Sequence, residues 1–336
     1  MKKSDVLKII LKDNFSKLSS APTRDKGLAF APTNIALCKY WGKRDAELNL
    51  PLTSSLSIAL PDKGAMTQLK IHDQPHDSVI LNGTTLENSS VFVQRLSQFL
   101  DLFRTTPAWH VEVDIKMNLP VAAGLASSAC GFASLVLALN DLFEWNLEKQ
   151  YLSILARLGS GSAARSLWSG FVEWHAGVQS DGMDSYGEPL EFEWPELCVG
   201  VLTINTNEKP ISSRDAMQRT VNSSVLYSAW PKKVSQDISI IKHALQVKNF
   251  PLLAGTAESN ALTMHATMLS SWPPICYFLP ETVSAMHQVW KLRQEGLTIY
   301  FTQDAGPNLK LLFLKKDRDI VQSRFENVEV IEVFVE

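Results

Sequence analysis

The stretch PVAAGLASSACGFASL, Pro120 to Leu135, decides the reading of the fold. It follows HVEVDIKMN, in which Val111, Val113, Ile115 and Met117 alternate with polar residues, the period of a half-buried strand. After Pro120 the chain turns to small residues, Ala122, Ala123, Gly124, Ala126, Ser127, Ser128, Ala129 and Gly131, and then to a helical run from Phe132 to Phe143. A strand, a small-residue loop and a helix start together make a cradle for phosphate. Backbone N–H groups at a helix start lack partners and carry partial positive charge. Residues with little or no side chain let a polyphosphate approach that backbone. Ser127 and Ser128 add hydroxyls for phosphate or for a metal ion. No Gly-Lys-Ser/Thr follows, so this is not the Walker loop. The same spacing also suits a helix that needs small residues where it crosses a neighbour.

The chain has 336 residues, enough for two domains with separate cores. Its 45% hydrophobic and 20% charged residues are those of an ordinary globular protein. The formal charge of −3 argues against nucleic acid held by bulk positive charge, so anionic ligands must be held by a local cluster of cations. Cys38, Cys130, Cys198 and Cys276 are far apart and form no CxxC pair, which predicts free buried thiols in a reducing compartment. His72 and His76 flank Pro75 in a polar loop and read as surface residues. The start, MKKSDVLKIILKDNF, is interrupted by Lys8 and Lys12 and lacks a signal-peptide cleavage site. Ser4 is the expected cap of a short helix with Val6, Ile9, Ile10 and Phe15 on its apolar face. No apolar run approaches a membrane span. A soluble, cytoplasmic protein is expected.

Strand and helix patterns are mixed up to about Gly177, and SDGMDSYGEP, Ser180 to Pro189, reads as a loop. CVGVLTIN, Cys198 to Asn205, reads as a buried strand. A helix-rich part follows: Val234, Ile238, Ile241 and Leu245 share one helical face, and Pro251–Met268 and Pro280–Glu295 read as two more helices. The strands TIYFTQ, LKLLFLKK and VEVIEVFVE close the chain. Few βαβ alternations occur, which predicts an α+β architecture, with domains over 1–195 and 196–336.

Four further segments carry chemistry. In APTNIALCKYWGKRD, Ala31 to Asp45, the cations Lys39, Lys43 and Arg44 sit beside Tyr40 and Trp41, which suits a partly dry anion site; a solvated basic turn is the plainer alternative. In GSGSAARSLW, Gly159 to Trp168, Ser162 reads as a helix N-cap with Arg165 in the first turn, where a planar guanidinium adds a two-donor cation; a surface salt bridge would use the same arginine. In FTQDAGPNLKLL, Phe301 to Leu312, Asp304 ends a strand before the turn Ala305-Gly306-Pro307-Asn308, placed for acid/base or electrostatic work or simply for holding the turn. ISSRDAMQ, Ile211 to Gln218, offers Ser213 and Arg214 or only a polar helix start.

The cradle resembles the phosphate loop of the GHMP small-molecule kinases, and its LASSA core, Leu125 to Ala129, is most similar to the version in diphosphomevalonate decarboxylases. APTNIALCKYWGKRD with LNLPLTSSLSIAL, GSGSAARSLW, ISSRDAMQ, AESNALTMHATMLSSWPPICYF and the DAGPN turn resemble that same family in the same order, from about Ala31 to Lys315. One departure is Ala164, where many relatives carry Cys; a packed position is expected there.

The resemblance implies a GHMP-kinase-type two-domain α+β fold with the active-site cleft between the domains. It implies ATP and Mg²⁺, with Gly124, Leu125, Ala126, Ser127 and Ser128 on the nucleotide and Ser127 or Ser128 near the metal. Tyr40, Lys43, Ser162, Ser213 and Arg214 would then hold a small diphosphate substrate. Asn34, Lys39 and Asp304 would face the reacting centre, and Arg165 would hold the substrate carboxylate. A homodimer is common in such relatives, though no interface is readable here. Other readings at this point are a kinase of the same fold that stops at phosphorylation, a decarboxylase of a monophosphate, and a non-catalytic ligand-binding relative.

Overall fold

The structure, a computed structural model, describes residues 1–12, 14–15, 18, 22, 24–104, 109–119, 127–207 and 211–334. Helix α1 (Lys3–Leu11) opens the chain, followed by strands β1 (Lys26–Cys38), β2 (Lys43–Asp45), β3 (Leu50–Pro51), β4 (Ser55–His72), β5 (Ser78–Leu81) and β6 (Thr84–Thr85). Then come α2 (Val91–Leu100), β7 (His110–Met117), α3 (Ser127–Leu142), α4 (Lys149–Gly159), β8 (Gly170–Trp174) and β9 (Gly187–Pro189). The remainder is β10 (Leu197–Leu202), α5 (Ser213–Ser223), α6 (Trp230–Gln246), α7 (Phe250–Leu269), α8 (Pro280–Gln294), β11 (Tyr300–Gln303), β12 (Leu309–Leu314), α9 (Arg318–Arg324) and β13 (Val328–Glu332).

A seven-stranded sheet runs β6-β5-β7-β4-β8-β9, with β1 antiparallel to β4. Strand β4 is long enough to pair with β8 through Ser55–Ala59 and with β7 through Ala65–His72. A four-stranded antiparallel sheet, β11-β12-β10-β13, is built from the later part of the chain. Helix α3 crosses β1 and β4 closely. A Cβ on Gly27 of β1 would lie 2.2 Å from the Ala138 carbonyl oxygen, so only glycine fits there. Ala129, Ala133 and Ala138 are fully buried, and Ser134 Oγ meets Thr67 Oγ1 at 2.6 Å. Small residues beyond the first turn of α3 therefore serve tight packing.

One apolar core lies under the larger sheet. A second joins Ile35 and Leu37 of β1 and Leu56 and Ile58 of β4 to Val199, Val201, Ile238, Ile241, Leu253 and Leu312. The ends of β1 and β4 thus pack against the later helices and the smaller sheet. The expected face Val234, Ile238, Ile241, Leu245 is buried in α6 as its spacing requires.

Three local expectations are corrected. Helix α1 begins after Lys2, with Asp5 accepting from the Lys2 backbone N–H at 2.9 Å, so Ser4 is inside the helix and not its cap. Its buried stripe is Val6, Leu7, Ile10 and Leu11, while Ile9 is 40% exposed. Cys276 is exposed, whereas Cys38, Cys130 and Cys198 are buried as expected. The third correction concerns Ser162 and is described with the site.

Candidate active site

A cleft of about 880 Å³ is lined from both parts of the chain: Asn34, Lys39, Tyr40, Lys43, Ser127, Ser128, Ser162 and Arg165 from the first, Ser213, Arg214, Met264 and Asp304 from the second. Every candidate site residue among the described residues borders it. Gly124, Leu125 and Ala126 lie outside the described residues.

Strand β1 delivers Asn34 and, just past its end, Lys39. The β1/β4 register breaks between Ala36 and Cys38, which frees the Ala36 carbonyl for other donors. Lys39 Nζ donates to it at 2.8 Å and to Asp304 Oδ1 at 2.7 Å. The side chain is 2% exposed, which excludes a solvated turn at this lysine. The Lys39 backbone N–H donates to Asn260 Oδ1 at 2.8 Å; Asn260 Nδ2 donates to Asp237, which is itself gripped by Lys233. Burial pulls the Lys39 ammonium below its usual value. Asp304 opposes that pull, while Lys310 and Arg165 add to it.

Asp304 follows β11. Its turn is anchored by Asn308, whose Oδ1 accepts from the Ile204 and Asn205 N–H groups at 2.7 and 2.9 Å. His265 Nε2 lies 3.2 Å from the Asp304 carbonyl oxygen. Burial, with Lys39 nearby, pushes that imidazole down to about 3, so it is neutral and must donate from Nε2 to the carbonyl. The second carboxylate oxygen, Oδ2, faces Lys310 Nζ at 3.4 Å, and Lys310 is 1% exposed.

Arg165 is buried opposite this pair. Its Nη1 donates to Ser55 Oγ, its Nη2 donates to Asn34 Oδ1 at 3.2 Å, and its guanidinium lies over the Trp174 ring at 5.8 Å. Among the described residues its Nε has no hydrogen-bond partner. Burial lowers it to about 10, with Asp304 opposing. Asn34 Nδ2 donates to the Ser162 carbonyl and to Ser166 Oγ at 3.2 and 2.7 Å. The expectation of Ser162 as an N-cap fails. Gly161–Arg165 is a single 3₁₀ turn entered at Ser160, with no side-chain cap and with Arg165 in its last turn. A five-residue 3₁₀ turn with Ala163, Ala164 and Arg165 buried does not continue as an α-helix, and it aims Arg165 inward through packing rather than through a helix dipole. Gly161 is needed for this approach, because a Cβ there would sit 2.9 Å from both the Tyr40 and the Trp174 rings. The Tyr40 hydroxyl is buried and has no partner among the described residues.

A second cationic group lies further along the cleft. Lys43 Nζ donates to Asn49 Oδ1 at 2.6 Å, and Asn49 is fixed by donating to the Arg157 and Leu158 carbonyls. Burial and then Arg214, Lys3 and Arg95 lower Lys43 to about 8. Ser212 caps α5 by accepting from the Asp215 N–H at 3.2 Å, which presents Ser213 and Arg214 in the first helical turn. Like charges drawn this close suit a polyanion. Sequence reasoning missed Arg95, a polar-face residue of an ordinary amphipathic helix, and Lys310, which the alternation of LKLLFL alone would have flagged as a lysine on an inward face.

At the remaining end, Ser127 and Ser128 open α3; Ser128 Oγ lies 3.3 Å from Ser160 Oγ, which lies 3.3 Å from Ser162 Oγ. The hydroxyls nearest the helix start, those of Ser127 and Ser128, fit the phosphates of a nucleotide. Among the described residues no group of three His, Cys, Asp or Glu side chains is placed to hold a metal. This donor set fits Mg²⁺ carried on phosphate oxygens and waters, with serine hydroxyls beside it.

Comparisons with known proteins agree over most of the chain. Residues 31–187 match the model of the diphosphomevalonate decarboxylase-like N-terminal domain, and residues 199–332 that of the mevalonate 5-diphosphate decarboxylase C-terminal domain. The diphosphomevalonate decarboxylase mvd1 of Aspergillus fumigatus is 37% identical over 315 residues, which is 87% of this chain and 77% of that protein. The crystal structure of mevalonate diphosphate decarboxylase from Staphylococcus aureus is similar with a TM-score of 0.86 at 36% identity, covering 93% of this chain and 96% of that one. A complex of MDDEF with MVAPP, AMPPCP and magnesium is similar at 0.85 and 38%, over 91% and 99%.

Proposed function

The chain belongs to the diphosphomevalonate decarboxylase family, and from that premise we infer that it converts (R)-5-diphosphomevalonate and ATP, with Mg²⁺, into isopentenyl diphosphate, CO₂, ADP and phosphate. The reaction belongs to the mevalonate route of isoprenoid biosynthesis. The observation that carries the site assignment is the ion pair of buried Lys39 with partly exposed Asp304, 2.7 Å apart, facing Arg165 across the cleft.

In this reading Asp304 serves the tertiary hydroxyl at carbon 3 of the substrate. Held by Lys39, it favours transfer of the phosphoryl group to that oxygen, as base or as fixed anion. Bound ATP supplies the phosphoryl group, and Mg²⁺ offsets charge on the phosphates. Lys39 offsets negative charge that builds as the group passes. When phosphate departs, Asp304 faces the positive charge developing at carbon 3. Arg165, oriented by Asn34 and Ser55, holds the carboxylate until it leaves as CO₂. Lys43, Tyr40, Ser162, Ser213 and Arg214 hold the substrate diphosphate. Ser127 and Ser128, with the loop residues Gly124, Leu125 and Ala126, take the nucleotide phosphates.

Matches over 31–187 and 199–332, with the seven-stranded sheet drawn wholly from the first part and the four-stranded sheet from the second, support a division into domains 1–195 and 196–336. Among the described residues no helix is long and apolar enough to cross a membrane. A cytoplasmic location is the reading drawn from the cysteine usage, and a homodimer the one drawn from the family resemblance. The deciding experiment measures ADP release and CO₂ together for mevalonate, its monophosphate and its diphosphate. One CO₂ per ADP with the diphosphate is expected. ADP without CO₂ would make the protein a kinase, and neither product would make it a binding protein.

A further inference from the structure

Strand β12 carries an anomaly. Leu309, Leu311 and Phe313 enter the core beneath α8, and Leu312 enters the core shared with β1. Lys310 shares the face of Leu312 by the strand period, and it is 1% exposed. Its cross-strand partner on β11 is Thr302, whose hydroxyl donates to the Ala36 carbonyl, the acceptor also used by Lys39 Nζ. The lysine is therefore aimed at the reacting end of the cleft. A buried ammonium is costly unless it meets an anion, and the anion here is Oδ2 of Asp304 at 3.4 Å. Asp304 is thus shared between two buried lysines, one on each oxygen.

On the decarboxylase reading above, we propose that Lys310 is a positioning residue for the reaction: by holding Oδ2 it fixes the plane of the Asp304 carboxylate and keeps Oδ1 on Lys39. Among the described residues, the charged groups facing this carboxylate include Lys39 beyond β1, Lys310 on β12 and Arg165 on the 3₁₀ turn; His265 on α7 is neutral. Cations gathered at this end of the cleft suit a substrate carboxylate and a phosphoryl group arriving together. Lys310 also lowers the affinity of Lys39 for its proton.

The test compares Lys310→Met and Lys310→Arg with wild type, following ADP and CO₂ from diphosphomevalonate across pH, with circular dichroism and Tm as controls of folding. Lys310→Met is expected to lower kcat about ten- to a hundredfold, the scale of a misplaced reacting group, while KM for both substrates stays within about threefold. Both limbs of its kcat profile should move to higher pH, because Asp304 loses a cation and Lys39 loses a like charge. Lys310→Arg should hold the limbs in place and recover part of kcat. In an Asp304→Asn background, Lys310→Met should cost little more, since the group it positions is already lost. A wild-type kcat in Lys310→Met, unmoved limbs, an Arg variant no better than Met, or full additivity with Asp304→Asn would each overturn the proposal. So would loss of the fold in Lys310→Met, which would make the lysine a structural cation. Wild-type protein that yields no CO₂ would instead sink the decarboxylase reading, and this proposal with it; an active wild type with an indifferent Lys310 sinks the proposal alone.

Discussion

Capture of the diphosphate should weaken as pH rises past 8, and Lys43 should be the cause. Its ammonium is lowered to about 8 by burial and by Arg214, Lys3 and Arg95, so the free protein loses that proton around pH 8. A bound diphosphate favours the charged form and raises the group again. If only protonated Lys43 binds well, the competent fraction falls from about nine-tenths at pH 7 to about one-tenth at pH 9, and the apparent Kd rises about tenfold. The substrate adds little to this slope, because the last phosphate proton leaves near pH 6. Calorimetry of diphosphomevalonate binding without nucleotide, in buffers of different ionisation enthalpy, reads both the slope and the proton taken up near pH 8.5. Lys43→Arg should flatten the dependence and release no buffer proton. Lys43→Met should flatten it too, but with affinity lower throughout by about ten- to a hundredfold, the worth of a charged hydrogen bond. A flat wild-type profile between pH 7 and 9, or a Lys43→Arg slope equal to wild type, would refute the reasoning.

Asp304→Ala should fold normally and lose about 10² to 10⁴ in turnover, with far less change in substrate affinity; steady-state kinetics that left turnover near wild type would remove the centre of the mechanism. Arg165→Gln should reduce activity sharply and Arg165→Lys restore part of it, because lysine lacks the planar fork. Binding assays should show that Arg165→Gln no longer distinguishes the substrate from an analogue without the carboxylate, and independent losses would place Arg165 elsewhere than on that group. Ser128→Leu should abolish binding of a fluorescent ATP analogue by filling the row of hydroxyls between Ser128, Ser160 and Ser162; unchanged affinity would leave Ser128 a packing residue only.

The amino-acid sequence carried much of this on local grounds. Alternation in HVEVDIKMN and the helical spacing of Val234, Ile238, Ile241 and Leu245 reflect burial on one face, which any chain must encode locally. The small residues after Pro120 served two ends at once: Ala129, Ala133 and Ala138 let α3 lie against the sheet, while Ser127 and Ser128 reach the cleft. Ser162 was misread because a serine before a short run looks alike ahead of an α-helix and inside a 3₁₀ turn, and only the packing of Ala163 and Ala164 distinguishes them.

Pairings across the chain were decided by the tertiary structure alone. Lys39 and Asp304 are 265 residues apart, and Asn34 and Arg165 are 131 apart. Residue type and motif order named each partner, but no local pattern states that Lys39 is stripped of water, that Arg165 is held between Ser55 and Asn34, or that Lys310 turns from β12 to share Asp304. Propensity and periodicity depend on near neighbours, so they are written along the chain. The dielectric around a charge and the number of cations on one carboxylate depend on what folding brings together, and they exist only once β1, α7, β11 and β12 have met.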